Sequence, residues 1–357
     1  MKSKLKVVVP PLQGLIKKSP GFEKKQLAEY KLDVLALCEF GCRYCSSNMG
    51  NFLRINRERF ADLAEEQLGE RFYPGDSPEL TMHFPSVVKQ LEHELASKPK
   101  SYGEGKTLVV SMLTDAFSPS LVTDGTTLAV IELLLERTSF RLRLLTKNAV
   151  VGSATWTKFF VSCQERVVVG LSIGTTDDEW AKRVEVGTSL PSARLRALRR
   201  LQDAGVPTFG MLCPVFPGML AGDQLERLVA AVRPEFCEHL WAEPFNDRTN
   251  WRLVRDTYRE GTAEYAWFDE AFGNRTSSAW SDYALELYQR LRAVAAAGGW
   301  LDRLRYLLYE HQVTDQHVAG YSDLAGVLMQ SKPDKSGASL HTGFAAVQAR
   351  LKGGSRQ

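Results

Sequence analysis

The chain has 357 residues, with 45 Lys and Arg against 42 Asp and Glu and a formal net charge of +3. That balance is too mild to mark a nucleic-acid binder by itself, and a chain of this length buries about three quarters of its extended surface, so no staple is needed to hold a core. With 44% hydrophobic residues and no apolar run near the ~18 residues that a membrane span needs, the composition is that of a globular protein. The apolar run Val7-Val8-Val9 stops at Pro10-Pro11, too short for the core of a signal peptide. Six cysteines without a paired framework point to the reducing cytoplasm.

In chain order, residues 1–30 read as a basic N-terminal extension carrying Lys2, Lys4, Lys6, Lys17, Lys18, Lys24 and Lys25. From 31 to 245, Val/Leu/Ile-rich runs at 31–37, 107–113, 140–146, 166–173, 207–213 and 236–242 alternate with helical patterns. Such runs suit strands buried on both faces of a mainly parallel sheet with crossover helices. Helical periodicity falls at 125–137, 153–162, 191–204 and 221–232, and two more helices, 58–71 and 86–97, fill an insertion over 46–106. In the 191–204 helix, Arg194, Arg196, Arg199 and Arg200 alternate with Leu195, Leu198 and Leu201, which reads as the wet face of an amphipathic helix. After 245 come helices at 250–260 and 277–297 and a strand over Arg305–Tyr309. A polar stretch, Gln330–Gly337, and a frayed end from Lys352 follow. The expected fold is α/β, a partial (β/α)6 TIM-like barrel over 31–245, with the helical insertion after strand 1 and a C-terminal α+β extension over 246–357. Chemistry in such folds collects at the carboxyl ends of the strands.

Directly after the first strand stand Cys38, Cys42 and Cys45, on a loop that contains Gly41. Three thiolates within eight residues suit one soft metal centre. With no fourth ligand nearby, an iron–sulfur cubane would keep one iron open, whereas a structural zinc would need a fourth ligand such as His83 or Cys163. The exits of the later strands supply polar residues: Thr114-Asp115 after strand 2, Lys147 after strand 3, Ser172 at the end of strand 4 and Cys213 at the end of strand 5. Thr114, Asp115 and Ser172 suit an amino group and ribose hydroxyls, and Lys147 suits a carboxylate. After strand 6, Glu243 and Asn246 are candidates to face the same cavity. The other role for Glu243 is pairing with Arg248 or Arg252. Tyr306, Tyr309, Glu310 and His311 are candidates for closing or lining the barrel, and Lys332, Asp334 and Lys335 for an anion-binding lid.

The C-x3-C-x2-C spacing, with Tyr44 before the last cysteine, resembles the cluster loop of the radical S-adenosylmethionine (SAM) enzymes. Further elements, in order, resemble the spore photoproduct lyase-like branch: Thr114-Asp115, Leu145-Thr146-Lys147, Leu171-Ser172-Ile173, Arg183 to Ser189 with Arg194, Asp203 to Pro207, and Pro214-Val215-Phe216-Pro217-Gly218. The likeness covers residues 31–220. It implies a [4Fe–4S] cluster on Cys38, Cys42 and Cys45, and SAM contacts from Tyr44, Thr114, Asp115, Lys147 and Ser172. It also implies reductive cleavage of SAM to a 5′-deoxyadenosyl radical that abstracts a substrate hydrogen. A departure falls at Met112, which stands where that branch carries a hydrogen-donating cysteine, and a thioether has no S–H to give. Cys213 is the candidate substitute and, with Glu243, a candidate catalytic residue. The resemblance therefore implies a radical SAM enzyme of lyase or transferase type. Its substrate would be a small molecule, a peptide or a nucleobase, and its electrons would come from a flavodoxin or ferredoxin. The alternatives are repair of a DNA photoproduct, and a nucleic-acid-binding protein with a structural metal that uses the basic N-terminus. A flipped base would need a stacking slot, for which Trp241 and Phe245 are the aromatics at hand.

Overall fold

The structure is a computed structural model and describes residues 5–10, 14–47, 51–74, 80–246, 250–274, 277–330 and 341–354, with backbone alone at 51, 52, 353 and 354. Lys2, Lys4, Arg248, Lys332, Asp334 and Lys335 lie outside the described residues. So does nearly all of the polar stretch after Gln330. The chain divides into two compact units, the first formed by 1–172, 177–208 and 249–257, the second by 173–176, 209–248 and 258–357.

The strands in chain order begin with β1 (Leu5–Val8), β2 (Ile16–Lys18), β3 (Tyr30–Leu32), β4 (Leu35–Leu37) and β5 (Gly41–Cys42). They continue with β6 (Leu80–His83), β7 (Thr107–Val110), β8 (Arg141–Thr146), β9 (Val167–Ser172) and β10 (Glu185–Val186). The last are β11 (Thr208–Val215), β12 (Cys237–Pro244), β13 (Leu304–Leu308) and β14 (Val327–Met329).

In the first unit β3, β7, β8 and β9 run parallel, in registers such as Lys31↔Val109, Leu108↔Leu142 and Leu144↔Val169, and β2 adds an antiparallel edge. Helices Thr126–Arg137 and Ala154–Ser162 make the crossovers. Their apolar faces and the branched residues of the strands put Leu108, Leu142, Leu144, Val168 and Phe160 wholly out of water. This is the continuous apolar run of a sheet covered on both sides.

The expected single strand 31–37 is two strands. β3 pairs in the main sheet, whereas β4 pairs with β6, which is itself parallel to β1. The break falls at Asp33, whose carboxylate accepts the Leu113 N–H (3.2 Å), and at Val34, whose N–H donates to Ser111 Oγ (3.4 Å). A side chain that takes backbone donors competes with the ladder. β1 and β6, each four residues long, were not among the expected strands. They build a small second core of Val7, Leu37, Phe60 and Met82, closed by helix Asn51–Leu68, which starts seven residues earlier than its pattern suggests.

The second unit orders β11, β12, β13 and β14 as neighbours, with β12, β13 and β14 parallel. Helix Ala279–Ala297 buries Tyr283, Leu287 and Leu291. The strand expected at 305–309 is β13, and β14 extends the sheet beyond it. The predicted helix 250–260 is shorter, Trp251–Arg255, and belongs to the first unit, while a separate helix of the second unit, Ala263–Phe268, lies beyond the predicted range. Both units are mixed α/β with mainly parallel strands. No helix among the described residues is long and apolar enough to cross a membrane.

Candidate functional site

The cysteine loop begins where β4 ends. Cys42 sits on the two-residue strand β5, which pairs antiparallel with β10, setting Cys42 opposite Glu185 and Gly41 opposite Val186. Arg43 N–H donates to Val184 O (2.9 Å), and Cys45 N–H closes a turn onto Cys42 O (3.0 Å). Glu39, between the first two cysteines, accepts from the Ser120 N–H (3.1 Å) and from the Ser120 hydroxyl, and stands 3.5 Å from His83 Nε2. Backbone pairing on one side and a buried carboxylate on the other thus fix the loop.

Burial raises the Cys38 and Cys42 thiols above the ordinary range. For Cys38 the charge of Asp115 adds to this, as do Cys45 and Cys42; for Cys42, Lys147 pulls in the opposite direction. The three thiols are thus close enough to sense one another. Among the described residues no three His, Cys, Asp or Glu side chains are gathered tightly enough to hold a single metal ion. A cubane asks for a different spacing, because each cysteine takes a separate iron corner. Three mutually coupled soft donors fit that demand, and cluster binding would keep them as thiolates against the effect of burial.

Beside the loop lies a charged network that helix Pro191–Asp203 and β10 create together. Glu185, 2% exposed, is 2.9 Å from Lys147 Nζ, accepts the Tyr44 hydroxyl at 2.5 Å and pairs with Arg194. Lys147 Nζ also donates to Ser172 Oγ (2.6 Å), and Arg194 donates to Ser172 O. Burial alone would raise the Glu185 pKa; Arg194 and Lys147 overcome it and bring the carboxyl down to about 2. Tyr44 moves upward through burial and the adjacent Glu185 charge.

The structure therefore brings Tyr44, Lys147 and Ser172 together, and it does so through Glu185 and Arg194, which lie in the stretches of resemblance but were not among the expected SAM contacts. Arg194 corrects the reading of its helix as a wet arginine face. Arg196, Arg199 and Arg200 are exposed, but Arg194 is 0% exposed. The signal was present: Arg194 stands at i with Leu198 and Leu201 at i+4 and i+7, on the stripe that faces the core.

Asp115 is buried at the exit of β7, where its two oxygens serve its own chain. They accept the Phe117 N–H (2.9 Å), the Lys147 N–H (2.8 Å) and the Thr146 hydroxyl (2.8 and 3.0 Å). Burial raises its pKa in spite of those donors. Asp115→Asn puts an NH2 group against donors that need an acceptor, and the expected loss is about 2–3 kcal/mol. Chemical denaturation of the variant measures it, and a loss within error of zero would remove this role. Thr114 points elsewhere, its hydroxyl 3.4 Å from Asp33 Oδ1.

In the second unit, Glu243 Oε1 accepts the Tyr309 hydroxyl (2.5 Å) and Asn246 Nδ2 (3.1 Å). Burial, reinforced by the Glu243 charge, pushes the Tyr309 phenol upward, and Cys213 on β11 is near enough to add to the shift. Tyr306 donates to Ala284 O (2.6 Å) inside the core. Trp241 and Phe245, 0% and 1% exposed, offer no open stacking slot. Trp241 meets Phe209 edge-on, and Phe245 stacks on Phe216 with centroids 5.6 Å apart.

No protein-family model matches the chain, and a search of curated proteins finds no match. Solved structures do match. A point mutant of spore photoproduct lyase aligns over 91% of this chain and 82% of its own length, at 15% identity and a TM-score of 0.50. A spore photoproduct lyase mutant with bound AdoMet and dinucleoside spore photoproduct aligns over 74% and 86%, at 14% identity and a TM-score of 0.41. The protein anSMEcpe with bound AdoMet aligns over 76% and 62%, at 13% identity and a TM-score of 0.43. Only the first of these likenesses is close enough to carry weight, and at that identity it speaks of fold. In fold, then, the chain is similar to spore photoproduct lyase.

Proposed function

We propose that the chain is a radical SAM enzyme in which Cys38, Cys42 and Cys45 hold a [4Fe–4S] cluster whose fourth iron is left for SAM. When bound, these cofactors supply the reductive cleavage of SAM to methionine and a 5′-deoxyadenosyl radical that takes a hydrogen from the substrate. One observation carries the proposal. The β5–β10 ladder joins the three-cysteine loop to a buried Lys147–Glu185–Arg194 network with Tyr44 and Ser172 at its edge.

In that network Glu185 is held ionised by two cations and in turn holds the Lys147 ammonium beside Tyr44, 5.5 Å from the ring centroid. Lys147 is then a fixed positive charge for the SAM carboxylate, and Tyr44 and Ser172 offer polar contacts to its amino group and ribose; the expected contact from Thr114 is not among them, its hydroxyl being turned to Asp33. Asp115 positions Lys147 through the backbone rather than meeting SAM itself. The burial of Glu185 and Arg194 strengthens the charge pairing within the network. Met112 cannot return a hydrogen atom, so photoproduct-lyase action would need another donor. Cys213, near Tyr309 and Glu243, is the one proposed. A partial (β/α)6 barrel with a helical insertion, the reducing cytoplasm as compartment and a flavodoxin or ferredoxin as electron source all belong to the same proposal.

The test is anaerobic reconstitution followed by assay of 5′-deoxyadenosine. Cys42→Ala should lower its formation at least a thousandfold, because an iron corner loses its anchor and oriented binding of this kind is worth ~4 kcal/mol or more in rate. A variant as active as the parent would sink the mechanism.

A further inference from the structure

A cavity of about 190 Å³ opens in the first unit beside the cysteine loop. Both flanks of the loop reach it, through Ala36 and Ser47, and so does Thr114, the neighbour of Asp115. Its charge is uneven. Lys17, Lys31 and Arg59 line it against one carboxylate, Asp33, an excess of two positive charges. Strand alternation turns Lys31 to the face opposite the wholly buried Leu32, and Asp33, just past the end of β3, lines the cavity beside it.

Asp33 does not neutralise its surroundings. It stands 3.7 Å from Lys31 Nζ and accepts the Leu113 N–H and the Thr114 hydroxyl, while burial raises its pKa. Lys17 and Arg59 have no carboxylate partner among the described residues. The remaining wall is mostly apolar, with Leu35, Phe60 and Phe84, beside the uncharged polar Ser47, Asn56 and Thr114. Cations without partners in a half-enclosed apolar space are costly unless an anion joins them. A few charged groups on an apolar wall are also what fixes the orientation of a small ligand.

We infer that this cavity binds the substrate, a small molecule with an apolar body and one anionic oxygen group, carboxylate or phosphate. That the ligand is the substrate rests on the radical SAM proposal; that an amphiphilic anion binds there does not. The anionic group meets Arg59 and Lys17, and the apolar body lies along Phe60 and Phe84, next to the loop.

Calorimetric titration of the full chain with benzoate, phenyl phosphate and inorganic phosphate tests it. One of the two organic probes should saturate a single site, and which of them binds tighter decides between carboxylate and phosphate. Arg59→Gln and Lys17→Gln should each weaken that probe about tenfold, the loss of one charge-assisted hydrogen bond. Arg59→Lys should restore most of the affinity. Circular dichroism confirms that each variant is folded. Inorganic phosphate binding as tightly as the organic probes, no saturation by any of the three, or indifference to both charge changes overturns the inference. Probe binding without any 5′-deoxyadenosine formation would remove the radical proposal and leave the anion site. Formation of 5′-deoxyadenosine without probe binding would do the reverse.

Discussion

Glu185→Gln is expected to destabilise the chain by about 3–5 kcal/mol, the cost of leaving a buried charge without its partner. Arg194 is fully buried, and its Nη2 pairs with Glu185 while its Nη1 is bound to Ser172 O. A glutamine keeps the shape and removes the counter-charge, so Arg194 and Lys147 would repel each other without compensation. Against a total stability of roughly 5–15 kcal/mol, that loss can unfold the chain. Chemical denaturation at neutral pH measures the loss directly. If the charge and not the shape matters, Glu185→Leu combined with Arg194→Leu should cost less than Glu185→Gln alone. A single change that costs under ~1 kcal/mol, the range of an exposed pair, would dismiss the network as a structural element.

The same pair sets an acid limit. The Glu185 carboxyl lies near 2 in the folded chain against an ordinary 4.5. Its contribution, about 3 kcal/mol at ~1.4 kcal/mol per unit, is complete above pH 4.5 and is lost as pH falls toward 2. Denaturation midpoints followed from pH 6 down to pH 2 should therefore fall more steeply in the parent than in Glu185→Gln.

Gly174→Ala is expected to destabilise the second unit strongly. A Cβ built there stands 1.9 Å from Pro214 O, 3.0 Å from Pro214 C and 3.4 Å from Phe216 Cε2. The first of these is a backbone atom and cannot swing aside. Ile173 N–H donates to Met211 O (2.9 Å), which holds the segment against β11. Relief would require breaking that pairing. Overpacking against a rigid neighbour costs ~3 kcal/mol or more, a fall in Tm of about 10 °C for a unit of this size. Gly218, in the same unit, has open space around its Cβ position, and Gly218→Ala should move Tm by no more than ~2 °C. Equal melting of both variants would show that the close approach at Gly174 is relieved by small shifts.

The sequence by itself determined the three-thiol loop and most of the parallel strands. Long apolar runs such as Val167–Ser172 and Arg141–Thr146 leave few other conformations, and thiol spacing is a property of the chain rather than of its packing. It also placed Lys147 and Ser172 at strand ends, where the pitch of a parallel sheet turns them to one side. What only the tertiary structure decided is the company those residues keep. Arg194 was a wet arginine by charge, and became the innermost one because β10 carries Glu185 against β5 and the helix turns its core stripe toward that carboxylate. Asp115 was a free polar group by type, and became the acceptor for Phe117, Thr146 and Lys147 once the loops after β7 and β8 met. The run 31–37 was one strand by composition, and became two because the Asp33 carboxylate and Val34 N–H take their partners from the loop that follows β7. Local pattern fixes what a side chain can do; contacts between residues tens to hundreds of positions apart decide whether its charge is paired, buried or left to a ligand.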